Sequence, residues 1–153
     1  MRRNDRKKTD PKVIQKMVKA AQVLRLGLVD KENPYIVPLN FGVEFNPMVF
    51  YFHCASYGRK VDILQRNNSV CFQIDEGRLV TANVPCDWGM EYKSILGYGK
   101  ILFIEEPNDK IFALNRIMEH YGSKKKGNYP PVQIQKITVL KLVVDSLSCK
   151  ISK

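Results

Sequence analysis

The chain has 153 residues, with 25 Lys and Arg against 15 Asp and Glu, and a formal net charge of +10. Hydrophobic residues make up 44% and charged residues 26%, the mix of a globular domain, which excludes wholesale disorder. The longest apolar run, Met48 to Phe52, falls far short of the roughly 20 residues that a membrane-spanning helix needs.

The length fits one domain over residues 1–153, with residues 1–9 as a basic N-terminal arm. Nine of the Lys and Arg residues lie within the first 25 positions, against only Asp5 and Asp10. Such an arm can neutralise phosphates on nucleic acid. No aromatic residue is interleaved with its charges to stack on bases, so a solvated, solubilising terminus is the expectation and a nucleic-acid partner is not. No apolar stretch follows the basic start, so no signal peptide is expected, and the expected location is the cytoplasm. The four cysteines at 54, 71, 86 and 149 include no C-x-x-C pair. They are read as reduced thiols, and no metal site is expected.

Asp10-Pro11 opens a helix, an N-cap followed by proline at the first helical position, and Val13, Ile14, Met17, Val18 and Ala21 form its apolar stripe. A meander of three strands is predicted next, over Val23–Val29, Tyr35–Val43 and Met48–Cys54, with turns at Asp30–Pro34 and Asn46-Pro47. Pro38 cannot donate to a ladder, so its strand has an open edge or a bulge there. A short helix follows over Arg59–Asn67, then strands at Ser69–Asp75, Arg78–Val84 and Glu91–Glu105. A second amphipathic helix runs from Pro107 to Tyr121, Gly122–Pro131 is a basic loop, and the last strand spans Ile137–Leu147. The pattern is α+β and mostly β: six or seven mostly antiparallel strands on a β-barrel, with two or three flanking helices.

The familiar nucleotide signatures are missing. Gly97-Tyr98-Gly99 begins a G-x-G inside a strand, but position 102 is Leu. Gly58-Arg59-Lys60 is more informative, because cations in the first turn of a helix oppose its dipole. One reading is a surface helix on which Asp62 offsets the charge. The other is a phosphate cradle, in which free N–H groups, a glycine permitting close approach and two cations meet one anion. His53 likewise reads either as a packed strand histidine or as a site residue. Phe50, Phe52, Tyr92 and Tyr98 stack on a ligand or fill the barrel, and strand spacing favours the core.

Five stretches carry a resemblance: Arg25–Val29, Pro34–Phe41, Val49–Ala55, Gly58–Asp62 and Tyr92–Gly99. In matching order from Met1 to Lys150, they resemble the flavin-binding proteins related to pyridoxamine 5′-phosphate oxidase, and within them the 5-nitroimidazole-resistance-like branch. The resemblance implies a six-stranded antiparallel split β-barrel and a homodimer with FMN in a groove between subunits. Arg59 and Lys60, next to Gly58, would hold the FMN phosphate. Val37, Pro38, Leu39, Asn40 and Phe41 would run beside the isoalloxazine ring, with His53 and Ala55 near it. Ser94 and Ile95 would reach the flavin from the neighbouring subunit. Trp88 would either cover the groove or pack on its own subunit.

The implied activity is an FMN-dependent oxidoreductase acting on a small molecule. A nitroaromatic compound is a candidate substrate, and a reduced nicotinamide cofactor is a candidate donor. His53 is the one side chain named as a general acid or base. The alternative is a non-enzymatic flavin or haem binder, or a nucleic-acid-associated module using the arm.

Overall fold

In the structure, a computed structural model that describes residues 6–152, a short strand β1 (Lys7–Lys8) leads into helix α1 (Pro11–Ala20). Strands β2 (Leu24–Asp30), β3 (Asn33–Leu39), β4 (Gly42–Glu44) and β5 (Val49–Ala55) follow. Helix α2 (Arg59–Arg66) precedes a long hairpin of β6 (Ser69–Val80) and β7 (Gly89–Ile104), with a 3-10 turn at Pro85–Asp87 between them. Helices α3 (Pro107–His120) and α4 (Pro131–Gln135) come before the last strand, β8 (Ile137–Ser152). Among the described residues the strands form one antiparallel eight-stranded sheet in the order β3-β2-β6-β7-β8-β5-β4, with β1 on β8. Two of the eight, β1 and β4, are only two and three residues long, so six strands carry the fold.

The sheet curls on itself. Phe50 of β5 and Phe72 of β6 lie three inter-strand steps apart, roughly 14 Å on a flat sheet. Their ring centroids are 5.2 Å apart, which requires closure around a common core. Leu24, Leu26, Leu28, Phe50, Phe52, Phe72, Ile95, Ile101, Leu140 and Leu142 fill that interior. Helix α1 is held at its start by the Asp10 carboxylate, which accepts from the Lys12 N–H at 2.8 Å, and it buries Val18 fully in the same cluster.

The apolar run in β5 has a two-sided reason. Phe50 and Phe52 point into the barrel, whereas Val49 and Tyr51 point outward against Ala113, Leu114 and Ile117 of α3. Covered on both faces, the strand reads as continuous hydrophobicity. Phe50 and Phe52 are core residues.

Four boundaries depart from the sequence reading. The expected strand over Tyr35–Val43 is two strands, because Asn40 and the Phe41 N–H bond to the Tyr121 hydroxyl instead of continuing a ladder. The strands expected at Ser69–Asp75 and Arg78–Val84 are one, since the ladder runs unbroken through Gly77↔Tyr92 and ends at Val80↔Gly89. Helix α4 begins where Pro130 and Pro131 read as the end of a loop: Pro131 occupies the first helical position, where a missing N–H costs nothing. Strand β8 runs to Ser152, supported on one side by β7 and near its end by β1.

The arm is partly docked. Lys7 and Lys8 pair with Lys150 and Cys149, and Arg6 donates to the Tyr92 hydroxyl at 3.0 Å. The reading of residues 1–9 as wholly solvated is corrected to that extent, since β1 takes the edge of β8 that β5 leaves free. Residues 1–5 lie outside the described residues. Among the described residues, no helix is long and apolar enough to cross a membrane.

Candidate functional site

The N-terminus of α2 is built to meet a negative group. Gly58 is its N-cap with φ 124° and ψ 167°, a conformation that side chains rarely adopt, and a Cβ there would meet nothing within 4 Å. No side chain caps the helix, so the N–H groups of Arg59, Lys60 and Val61 find no partner inside it. Two cations stand in this first turn, and they differ. Arg59 donates from Nε to Asp30 at 3.1 Å, and its guanidinium lies 4.4 Å from the centre of the Tyr35 ring. Lys60 has no carboxylate partner among the described residues.

Lys60 is instead close to the end of β5. Partial desolvation by the surrounding atoms first, and then the Lys60 charge, hold His53 below its ordinary pKa, although the residue still reaches solvent at the end of β5. Burial pushes the Cys54 thiol up, with Lys60 pulling the other way. The phosphate-cradle reading therefore rests on open space at Gly58, an uncapped helix start and an ammonium with no carboxylate partner among the described residues. These features fit a phosphate monoester, a group that needs matched donors and cations.

Beside it runs β3, which pairs with β2 on one side only. Pro34 and Pro38, which lack N–H groups, are four residues apart and so fall on the same, outer side of the strand. The outer edge carries the Pro38 carbonyl and, just past the strand, the Asn40 N–H. Val37 and Leu39 turn inward and pack on the core. Phe41 is fully buried, 5.4 Å from Phe50 and 4.2 Å from the His120 ring, so its side chain belongs to the core.

The remaining predicted residues divide. His53 and Ala55 are exposed at the end of β5, near the start of α2. Ser94 is half-buried on the outer face of β7, between Asp75 and Lys150. Ile95 is fully buried in the core, so its side chain does not turn outward as the resemblance implied. Trp88 is exposed in the β6–β7 connection, and its indole N–H donates to the Ala82 carbonyl at 2.8 Å. Among the described residues no three His, Cys, Asp or Glu groups gather to hold a metal ion. The cysteines are free thiols.

Two participants were not read from the sequence. Asp30 holds both Arg59 and Arg66, residues 29 and 36 positions away. Tyr121 holds Asn40 and Phe41 from about 80 positions away. Neither has a local sequence signal, because each acts across the fold.

The profile of the pyridoxamine 5′-phosphate oxidase family matches residues 10–151. A solved structure from Bacteroides thetaiotaomicron, provisionally described as a 5-nitroimidazole antibiotic resistance protein, is 34% identical. It aligns over 95% of this chain and 86% of its own, with a TM-score of 0.84. The flavocytochrome Anf3 of Azotobacter vinelandii has the same fold at 19% identity and TM-score 0.84, covering 100% of this chain and 72% of its own. An FAD and haem binding protein of Mycobacterium smegmatis does so at 16% identity and TM-score 0.85, covering 97% and 74%. No curated relative matches the chain at a significant level. The chain belongs to the pyridoxamine 5′-phosphate oxidase family, with its nearness to the nitroimidazole-resistance protein placing it beside that branch.

Proposed function

We propose that the protein is an FMN-binding oxidoreductase that works as a homodimer, with the flavin in a groove between two copies. The observation that carries this reading is the uncapped start of α2 at Gly58, with an unpaired Lys60, next to the open edge of β3. Lys60 and the first-turn N–H groups would hold the phosphate, and Arg59, oriented by Asp30, would add its remaining N–H groups. The outer edge of β3 would meet the polar rim of the ring system. When bound, FMN supplies the electron-transfer chemistry that no side chain here provides.

The partner copy has support of its own. On the outer face of the sheet, Ile36, Gly27, Cys71 and Tyr98 form one cross-strand row, with Leu96 and Leu102 flanking it on β7. Ile36 is 65% exposed and Tyr98 56% in the single chain, and a soluble monomer rarely leaves such a surface uncovered. Ser94 lies on that same outer face, from which it would reach the partner's flavin. His53 is the side chain placed to hold or release a proton, since its lowered pKa keeps it neutral at neutral pH.

The substrate is read as a small molecule, with nitroaromatic compounds as the first class to test and reduced nicotinamide as the donor. The purified protein should show the visible spectrum of a flavin, released as FMN by mass. Mixed anaerobically with reduced nicotinamide and a nitroarene, it should consume both. A flavin-loaded protein without such consumption would be a carrier. A protein that neither retains nor rebinds FMN would end the proposal.

A further inference from the structure

The β2–β3 hairpin is closed at one end by its turn and open at the other, where Leu24↔Leu39 is the last ladder pair. Continued by two residues, the register would set Gln22 opposite Phe41, joined by an N–H to carbonyl bond. The Tyr121 hydroxyl occupies that place. It donates to the Gln22 carbonyl at 2.6 Å and accepts from the Phe41 N–H at 3.1 Å, with the Asn40 side-chain amide also at 3.1 Å. One donor and two acceptor positions are thus used, and the hydroxyl has nothing left to offer a ligand. The preceding residue joins in: His120 Nε2 lies 2.7 Å from the Ala21 carbonyl, which can only accept, so that nitrogen carries the proton.

Edge position makes this matter. Among the described residues β3 has no neighbour on its outer side, so its open end is the part of the hairpin that frays most readily. That end carries the Pro38 carbonyl and the Asn40 N–H.

We propose that Tyr121 is a positioning residue that staples the open end of the β2–β3 hairpin, and so sets the strand edge against which the isoalloxazine ring is read. The inference rests on the flavin proposal above. Tyr121 acts on the ring and not on the phosphate, because the contacts lie at the β3 end and none reaches α2.

The test uses Tyr121→Phe, which keeps the ring and removes the hydroxyl, beside Ile117→Val, which loosens α3 packing without touching the staple. FMN and riboflavin are each titrated by fluorescence, thermal unfolding is measured, and the visible bands of the bound flavin are recorded. Tyr121→Phe is expected to weaken FMN and riboflavin by the same factor, roughly five- to twentyfold, and to shift the bands. Ile117→Val should lower the unfolding temperature while affinity and bands stay at the parent values. Unchanged affinity in Tyr121→Phe overturns the inference, as does a loss confined to FMN. An equal loss in Ile117→Val overturns it too, by showing that stability alone is at work. If the parent protein binds neither flavin, the functional proposal itself fails, and this inference with it.

Discussion

Arg59 donates from Nε to Asp30 at 3.1 Å, and the other oxygen of the same carboxylate takes Arg66 at 3.0 Å. The two neighbouring cations of the α2 first turn are therefore unequal: Arg59 shares a carboxylate with Arg66, and Lys60 has no carboxylate partner among the described residues.

Lys60→Ala should weaken FMN binding roughly ten- to a hundredfold, the size of one charge-assisted hydrogen bond. Riboflavin, which lacks the phosphate, should bind both forms alike. Arg59→Ala should cost FMN less, because Asp30 already offsets part of that charge and the guanidinium itself is solvent-exposed. Added salt should weaken FMN binding more in the parent than in Lys60→Ala. Calorimetric titrations decide this, and equal losses for FMN and riboflavin would point to a damaged fold.

The pH behaviour of His53 follows from the sign of its shift. Its folded pKa lies below the ordinary value of 6.5, with burial as the first cause and Lys60 as the second. As pH falls through 6.5 the unfolded chain takes up the proton first, so this residue's contribution to stability is present above that value and is lost toward the lower folded pKa. Lys60→Ala should raise the His53 pKa part of the way back, since burial remains. An NMR titration of the two histidines measures it, and an unmoved His53 would separate the two residues.

Tyr98→Glu places a charge in the centre of the uncovered outer face, where Tyr98 is 56% exposed. Sedimentation should find the parent dimeric at micromolar concentration and this variant monomeric with weakened FMN binding. A monomeric parent that still holds FMN would remove the shared groove.

Gly42→Ala tests the contact between β4 and α3. A Cβ at this position would stand 2.5 Å from the Arg116 carbonyl carbon and the Ile117 nitrogen, which are backbone atoms of the helix. The helix must shift, so a loss of about 1–3 kcal/mol is expected in denaturant unfolding. Flavin affinity should fall as well, because Phe41 is the preceding residue and the shifted helix carries Tyr121, which holds the end of β3.

Removing residues 1–8 should leave flavin affinity within about threefold, less than about 1 kcal/mol. The described part of the arm pairs with the end of β8 and with Tyr92, and does not touch α2. A tenfold loss would mean that the arm closes over the site.

Local signals carried much of this protein. Asp10-Pro11 announced α1, Pro107 announced α3, and the period-two runs announced the long strands, because caps, proline and alternation act between residues a few positions apart. The Gly58-Arg59-Lys60 motif was legible for the same reason: the conflict between cations and helix dipole is local, and the structure adds that no side chain resolves it. What needed the tertiary structure was every choice made by a distant partner. Gly77 reads as a break, yet β6 continues through it because β7 supplies the ladder. The resemblance carried Ile95 over as a residue reaching a flavin, yet the curl of the sheet sends its side chain into the core. Arg59 and Lys60 are adjacent and chemically alike, and only the approach of Asp30 from another hairpin makes them different. The end of β3 is decided by the hydroxyl of the tyrosine that caps the C-terminus of α3, about 80 residues on. A hydrogen bond spanning that separation leaves no periodicity in the chain, since its geometry exists only once the barrel has closed.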